Sequence, residues 1–94
     1  MSDKKTFFIS TSIPYVNAAP HIGFALEAVQ ADVIARFRRL VGEEVFFLSG
    51  TDDNALKNVR AAEDAGKNVA AYVGENAKHF ESLLAALYIS NDDF

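Results

Sequence analysis

The 94-residue chain contains no cysteine and only two prolines. Without thiols there is no disulfide framework and no thiolate metal site. No run of about 20 uncharged apolar residues is present, so no segment is expected to span a membrane. The polar start, Met1-Ser2-Asp3-Lys4-Lys5, and the short apolar run after it do not form a secretory signal, and the expected compartment is the cytoplasm. Positive charge is in deficit: nine Lys and Arg stand against 13 Asp and Glu, for a net charge of −4. That balance argues against a principal nucleic-acid contact surface, which requires a basic patch. The Walker pattern and G-x-G-x-x-G are both missing, so neither of those nucleotide modes is supported. There is no internal repeat and no low-complexity linker.

Half of the residues are hydrophobic and eight are Phe, enough for a core in a single small domain. A chain of this size buries only about two-thirds of its unfolded surface, so marginal stability is expected unless something else covers it.

Thr6-Phe7-Phe8-Ile9-Ser10-Thr11 is an uncharged, β-rich run that reads as a buried strand. Pro14 and Pro20 bracket an irregular loop, and Pro20 suits the first helical position, where its missing N–H costs nothing. From His21 to Val41 the pattern is helical. Ile22, Leu26, Val29, Val33, Phe37 and Leu40 step by three and four along one face. Gly42 is placed to end that helix in a left-handed conformation. Val45-Phe46-Phe47-Leu48 reads as a second strand, buried on both faces as in parallel sheets. Thr51 or Asp52 is expected to cap a helix running to Gly66, and Asn68 a third helix with Val73, Ala77, Phe80, Leu84 and Leu87 on one face. The fold class is therefore α/β: a β-α-β unit followed by two helices, the first part of a Rossmann-like parallel-sheet nucleotide-binding domain. Two strands make a poor sheet, so residues 1–94 are expected to be the first part of a larger open α/β domain.

In open α/β sheets ligands bind beyond the carboxyl ends of the strands. Both of these ends carry unusual residues. Ser12, Ile13, Pro14, Tyr15, Asn17, His21 and Gly23 follow the first strand, and Gly50, Thr51, Asp52 and Asp53 follow the second. A helix start offers free N–H groups and a partial positive charge to a phosphate. His21 there can donate to a phosphate oxygen, and a glycine lets a ring or phosphate approach the backbone. Each feature also has a plainer reading. His21 can be a polar neighbour of the cap, Asp52 a helix cap, Tyr15 a loop cover and Glu27 a solvated residue. Arg36, Arg38 and Arg39 fit a solvated helix end favoured by the macrodipole. His79 has no metal partner at helical spacing, and no residue is assigned to a metal.

The stretch "TSIPYVNAAPHIGFALEAVQADVIARFRRLVGEEVFFLSGTDDN" resembles the start of the methionyl-tRNA synthetases, a family of class I aminoacyl-tRNA synthetases. His21-Ile22-Gly23-Phe24 falls on their HIGH signature, and "PYVNAAPHIG", "QAD" and "LSGTDD" make the match specific. The resemblance runs from Phe7 to the end of the chain. It implies that methionine and ATP react to methionyl-adenylate and pyrophosphate, and that the methionyl group then passes to tRNA, which is held mostly by parts outside this segment. It implies that His21 is catalytic and holds ATP phosphates, with Asn17, Gly23 and Phe24 also in the ATP site and Mg²⁺ bridging the phosphates. Ile13 and Tyr15 would line the methionine site, and Asp52 would hold the substrate ammonium. Zn²⁺ belongs to parts of the family not present here, as do the Lys-Met-Ser-Lys-Ser loop and the anticodon-binding domain, so these residues alone are expected to be inactive.

Two departures stand out. Phe24 occupies a position where the family usually has His, and Asp53-Asn54-Ala55 replaces the frequent Glu-His-Gly. A cysteinyl relative would carry a zinc-binding Cys before the signature, and there is none. Valyl, isoleucyl and leucyl relatives share the loop less closely. The alternatives are a small nucleotidyltransferase with a His-x-Gly helix-start phosphate site, or a non-catalytic half-domain acting as an interaction module.

Overall fold

The computed structural model describes residues 4–94; the polar start at residues 1–3 lies outside the described residues. The elements run β1 (Thr6–Ser10), α1 (Ile22–Leu40), β2 (Glu44–Leu48), α2 (Leu56–Asp64) and α3 (Val69–Ala86). β1 and β2 pair in parallel, from Thr6 opposite Glu44 to Ser10 opposite Leu48. The observed order is the expected β-α-β unit followed by two helices.

The strands are less buried than their apolar runs suggest. Phe7 and Ile9 are half-buried, but Phe8 is 61% exposed and stacks on Phe46 of the neighbouring strand with centroids 5.9 Å apart. Phe47 is fully buried, whereas Phe46 is exposed. The reason is layering: α1 covers one face of the sheet, and none of the described elements covers the other. The stripe expected to make the core of α1 behaves likewise. Ile22 and Leu40 are 86% and 84% exposed, and Leu26, Val29, Val33 and Phe37 are exposed too. The face that packs inward is instead Phe24, Ala28, Ala31, Asp32 and Ala35. Three alanines let the helix backbone approach closely. Ala31 and Ala35 join Phe47, with Ile9 and Val45 packed against them. A second cluster unites Phe24 and Ala28 with Val16, Val73, Phe80 and Leu84 of the loop and α3.

The helix ends also revise the expectations. Pro20 lies before α1, not in it, because His21 is the cap and the helix begins at Ile22. Neither Thr51 nor Asp52 caps α2. Ala55 takes that position without a side-chain bond, while Thr51 Oγ1 donates to Asp53 Oδ1 at 2.6 Å within the preceding turn. Asn68 does cap α3, accepting from Ala71 N at 3.3 Å. Gly42 has φ 92°, as a left-handed terminator requires.

The arginines near the end of α1 all have partners, which the solvated-end reading did not anticipate. Arg38 pairs with Glu43 at 3.2 Å and lies 4.6 Å from the centroid of the Phe7 ring. Arg36 and Arg39 clamp the last residues of the chain. Arg36 Nη2 donates to Tyr88 O at 2.6 Å, and Arg39 reaches Ser90 Oγ, Ser90 O and Asp92 Oδ2 at 2.6, 3.0 and 3.3 Å. Asp32 anchors the same segment, accepting from Ser90 N at 2.8 Å, Ser90 Oγ at 2.5 Å and Arg36 Nε at 2.8 Å. The clamped tail runs beside β2. Asp92 N donates to Phe47 O at 2.7 Å, Ser49 N donates to Asp93 O at 3.2 Å, and Leu48 and Asp93 form a parallel bridge.

Burial alone would raise the Asp32 carboxyl's pKa. The bonds from Ser90 and the bond and charge of Arg36 outweigh it and hold the group below its ordinary 3.8. The unfolded chain therefore takes up this proton at a higher pH than the folded one. The stabilisation is complete above the ordinary value and is lost as pH falls below it. Denaturation midpoints should fall between about pH 5 and about pH 3, with Asp32→Asn showing a shallower fall and a loss of about 1–3 kcal/mol near neutrality.

Candidate functional site

The rim is built where the strands end. Thr11 Oγ1 and Ser49 Oγ share a buried hydrogen bond of 2.8 Å, and Thr11 N donates to Leu48 O at 3.1 Å. The two segments then stay together. Asp52 N donates to Pro14 O at 2.8 Å, making an isolated parallel bridge between Tyr15 and Asp52. Helix α3 holds the loop from below. Val16 is fully buried, Asn76 Nδ2 donates to Val16 O at 2.8 Å, and Tyr72 Oη donates to Asn17 O at 2.8 Å. Helix α1 holds it from the side. The two Glu27 carboxylate oxygens accept from Ser12 N and Ser12 Oγ, each at 2.7 Å. Glu27 is thus a clamp on the loop rather than a solvated residue.

At the start of α1, His21 is the cap itself. Its backbone is extended and its Nδ1 accepts from Gly23 N at 2.8 Å. Ser, Thr, Asp or Asn usually performs this task with an oxygen; here a ring nitrogen does. A neutral imidazole that accepts at Nδ1 carries its proton on Nε2, so the remaining nitrogen is a donor. The capping ring also explains Gly23. A Cβ there would sit 2.5 Å from His21 Cε1 and 3.0 Å from Nδ1. The glycine makes room for the histidine, a nearer requirement than room for a ligand. Phe24, only 7% exposed, packs edge-on against Phe80 with centroids 5.1 Å apart.

A cavity of about 530 Å³ opens between this helix start and the loop. It brings together five of the expected site residues: Tyr15, Asn17, His21, Gly23 and Phe24. Ile13 and Asp52 do not line it. Ile13 lies beside Gly50, where an added Cβ would be 3.6 Å from its Cγ2. Asp52 adjoins Tyr15 through the backbone bridge, but its Oδ1 accepts from Asn54 N at 3.3 Å within its own turn. Asn58, 0% exposed, donates from Nδ2 to Asp52 O at 2.9 Å, and its Oδ1 has no partner.

Glu27, Lys57, Asn58, Tyr72 and Asn76 were missed in the sequence. Asn76 had a readable signal: it falls between Val73 and Phe80 at core spacing on α3, where a polar group needs a partner. The donor set does not fit a directly bound divalent cation. The cavity's one carboxylate, Glu27, is engaged with Ser12, and the described residues contain no group of three or more potential metal ligands.

Gly23→Ala should displace the imidazole from the cap and cost about 0.5–2 kcal/mol. The ¹⁵N shifts of His21 should then lose the Nε2–H tautomer signature expected of the parent. Asn76→Leu should leave the buried Val16 carbonyl unpaired and lower stability by about 1–3 kcal/mol in chemical denaturation.

The family model described as tRNA synthetases class I (M) matches residues 7–94. A methionine–tRNA ligase of Rickettsia bellii is 47% identical over 89 residues, 95% of this chain and 18% of that protein. One of Thermotoga maritima is 47% identical over 88 residues, 94% of this chain and 14% of that protein. Among solved structures, Mycobacterium tuberculosis methionyl-tRNA synthetase in complex with methionyl-adenylate superposes with a TM-score of 0.94 at 46% identity, covering 96% of this chain and 18% of that one. The chain thus spans less than a fifth of the length of these relatives. With the family model matched across nearly all of its residues, the chain belongs to the class I tRNA synthetases of the methionyl type.

Proposed function

We propose that this chain is the N-terminal portion of the Rossmann-like catalytic domain of a cytoplasmic methionine–tRNA ligase, which forms methionyl-adenylate from methionine and ATP and transfers the methionyl group to tRNA. The observation that carries this reading is the cavity at the His21 helix start, in a chain that superposes on a relative solved with methionyl-adenylate. No helix among the described residues is long and apolar enough to cross a membrane.

In the first step the methionine carboxylate attacks the α-phosphorus of ATP. An acyl–phosphate bond forms, and the bond to the β-phosphate oxygen breaks with departure of pyrophosphate. The substrate carboxylate is the nucleophile, so the protein's task is positioning and charge stabilisation. His21 does both. Its Nδ1 is committed to the cap, which directs the Nε2 donor outward as a fixed contact for a phosphate oxygen, beside the positive end of α1. Gly23 keeps that ring in place, and Asn17 and Phe24 complete the nucleotide wall. Tyr15 and Ile13 flank the methionine side chain. Asp52, tied to the same loop by its bond to Pro14 O, receives the ammonium once its carboxylate turns from Asn54. The Mg²⁺ that accompanies ATP in this family finds no ligand set among the described side chains. Acceptance of the tRNA belongs to segments beyond these residues.

Methionine-dependent ATP–pyrophosphate exchange by the complete synthetase chain tests this function. Asp52→Ala should raise the KM for methionine about tenfold or more, and His21→Ala should lower the exchange rate by a similar factor. Exchange that is unchanged by both substitutions, or that proceeds equally well without methionine, contradicts the assignment. Residues 1–94 alone should show no exchange.

A further inference from the structure

The nucleotide site has a chemical gap at Phe24. Its phenyl ring offers no N–H, and it is packed against Phe80 in the core, so it contributes an apolar wall only. Lys57 also lines this cavity, with its ammonium 5.2 Å from the centroid of the Tyr15 ring. Lys57 makes none of the ion pairs found among the described residues.

Helix stability does not account for Lys57. It is the second residue of α2, where a cation opposes the helix dipole, and no acidic residue or side-chain cap offsets it there. Nor does Tyr15 hold it strongly. An exposed cation–π contact is weaker than a hydrogen bond between charged groups. The ring holds the ammonium beside the cavity and yields it to a better acceptor. The charge balance points the same way. Glu27 is the cavity's one carboxylate, and its negative charge opposes a polyphosphate. Lys57 cancels it and lets the donors at the start of α1 act on an anion.

We propose that Lys57 is a nucleotide-binding residue of this site, whose ammonium donates to a non-bridging oxygen of a nucleoside triphosphate's phosphate chain and supplies the contact that Phe24 cannot. The proposal rests on the nucleotide reading above.

The test is the dissociation constant of ATP for the complete synthetase chain, measured by equilibrium dialysis without methionine, together with the KM for methionine in pyrophosphate exchange. Lys57→Gln should weaken ATP binding about tenfold or more, while Lys57→Arg keeps it within about threefold. The KM for methionine should hold within about twofold in both, because the contact is on the phosphate side. Melting temperatures of the two variants check that the fold is retained. ATP binding unchanged in Lys57→Gln overturns the proposal, as does a rise confined to the KM for methionine, which would put the ammonium on the amino-acid side. A parent that binds ATP but shows no methionine-dependent exchange removes the synthetase reading alone. A parent that binds no ATP overturns both.

Discussion

Parallel pairing of β1 with β2 brings two segments 38 residues apart to one edge, joined across the Thr11–Ser49 hydrogen bond. Every later feature of the site depends on that pairing. Because the strands run the same way, both carboxyl ends open on the same side, and a long crossover is needed to return the chain. The crossover is α1, whose N-terminus is therefore delivered to the rim. An antiparallel arrangement would have placed the loop of residues 11–20 and the turn of residues 49–55 at opposite ends.

Around that frame, a small number of polar contacts convert an irregular loop into a fixed surface. Glu27 takes hold of Ser12 from α1, and Tyr72 and Asn76 take hold of Asn17 and Val16 from α3. The Asp52 backbone completes the loop's attachments by bonding Pro14. None of these groups has to touch a substrate to matter, since each sets where Tyr15, Asn17 and His21 stand. The His21–Gly23 pair is the most economical of the devices. One ring nitrogen satisfies a helix N–H and thereby fixes which nitrogen faces outward, and the absence of one methyl group permits it.

The architecture was legible because it follows from periodicity and punctuation. Two apolar runs, a helical pattern from His21 to Val41 between them, Gly42 and Asn68 placed β1, α1, β2 and the start of α3 within a residue or two, whereas α2 begins three to four residues later than its expected caps. Burial was less legible. The apolar stripe of α1 and the Phe8–Phe46 face read as core, yet the described layers leave them exposed and put alanines against the sheet. A hydrophobic pattern says that a face seeks cover, not which element supplies it. The His21 loop was legible as a candidate site because Pro, His and Gly at a helix start demand a reason. The clamps were not, since a glutamate or an asparagine reaching 15 or 60 residues along the chain leaves no local pattern. Capping by a ring nitrogen was equally hidden, because propensity favours oxygen in that place.

In the proposed function the cavity at the start of α1 receives the nucleotide. Photolabelling with 8-azido-ATP, followed by peptide mapping of the modified residues, tests it most directly. The label should fall between Ser12 and Glu27, the stretch of loop and first turns of α1 that supplies most of the cavity lining, and excess ATP should suppress it. Label concentrated instead at the far end of α1, around Arg36, Phe37, Arg39 and Leu40, would contradict the account.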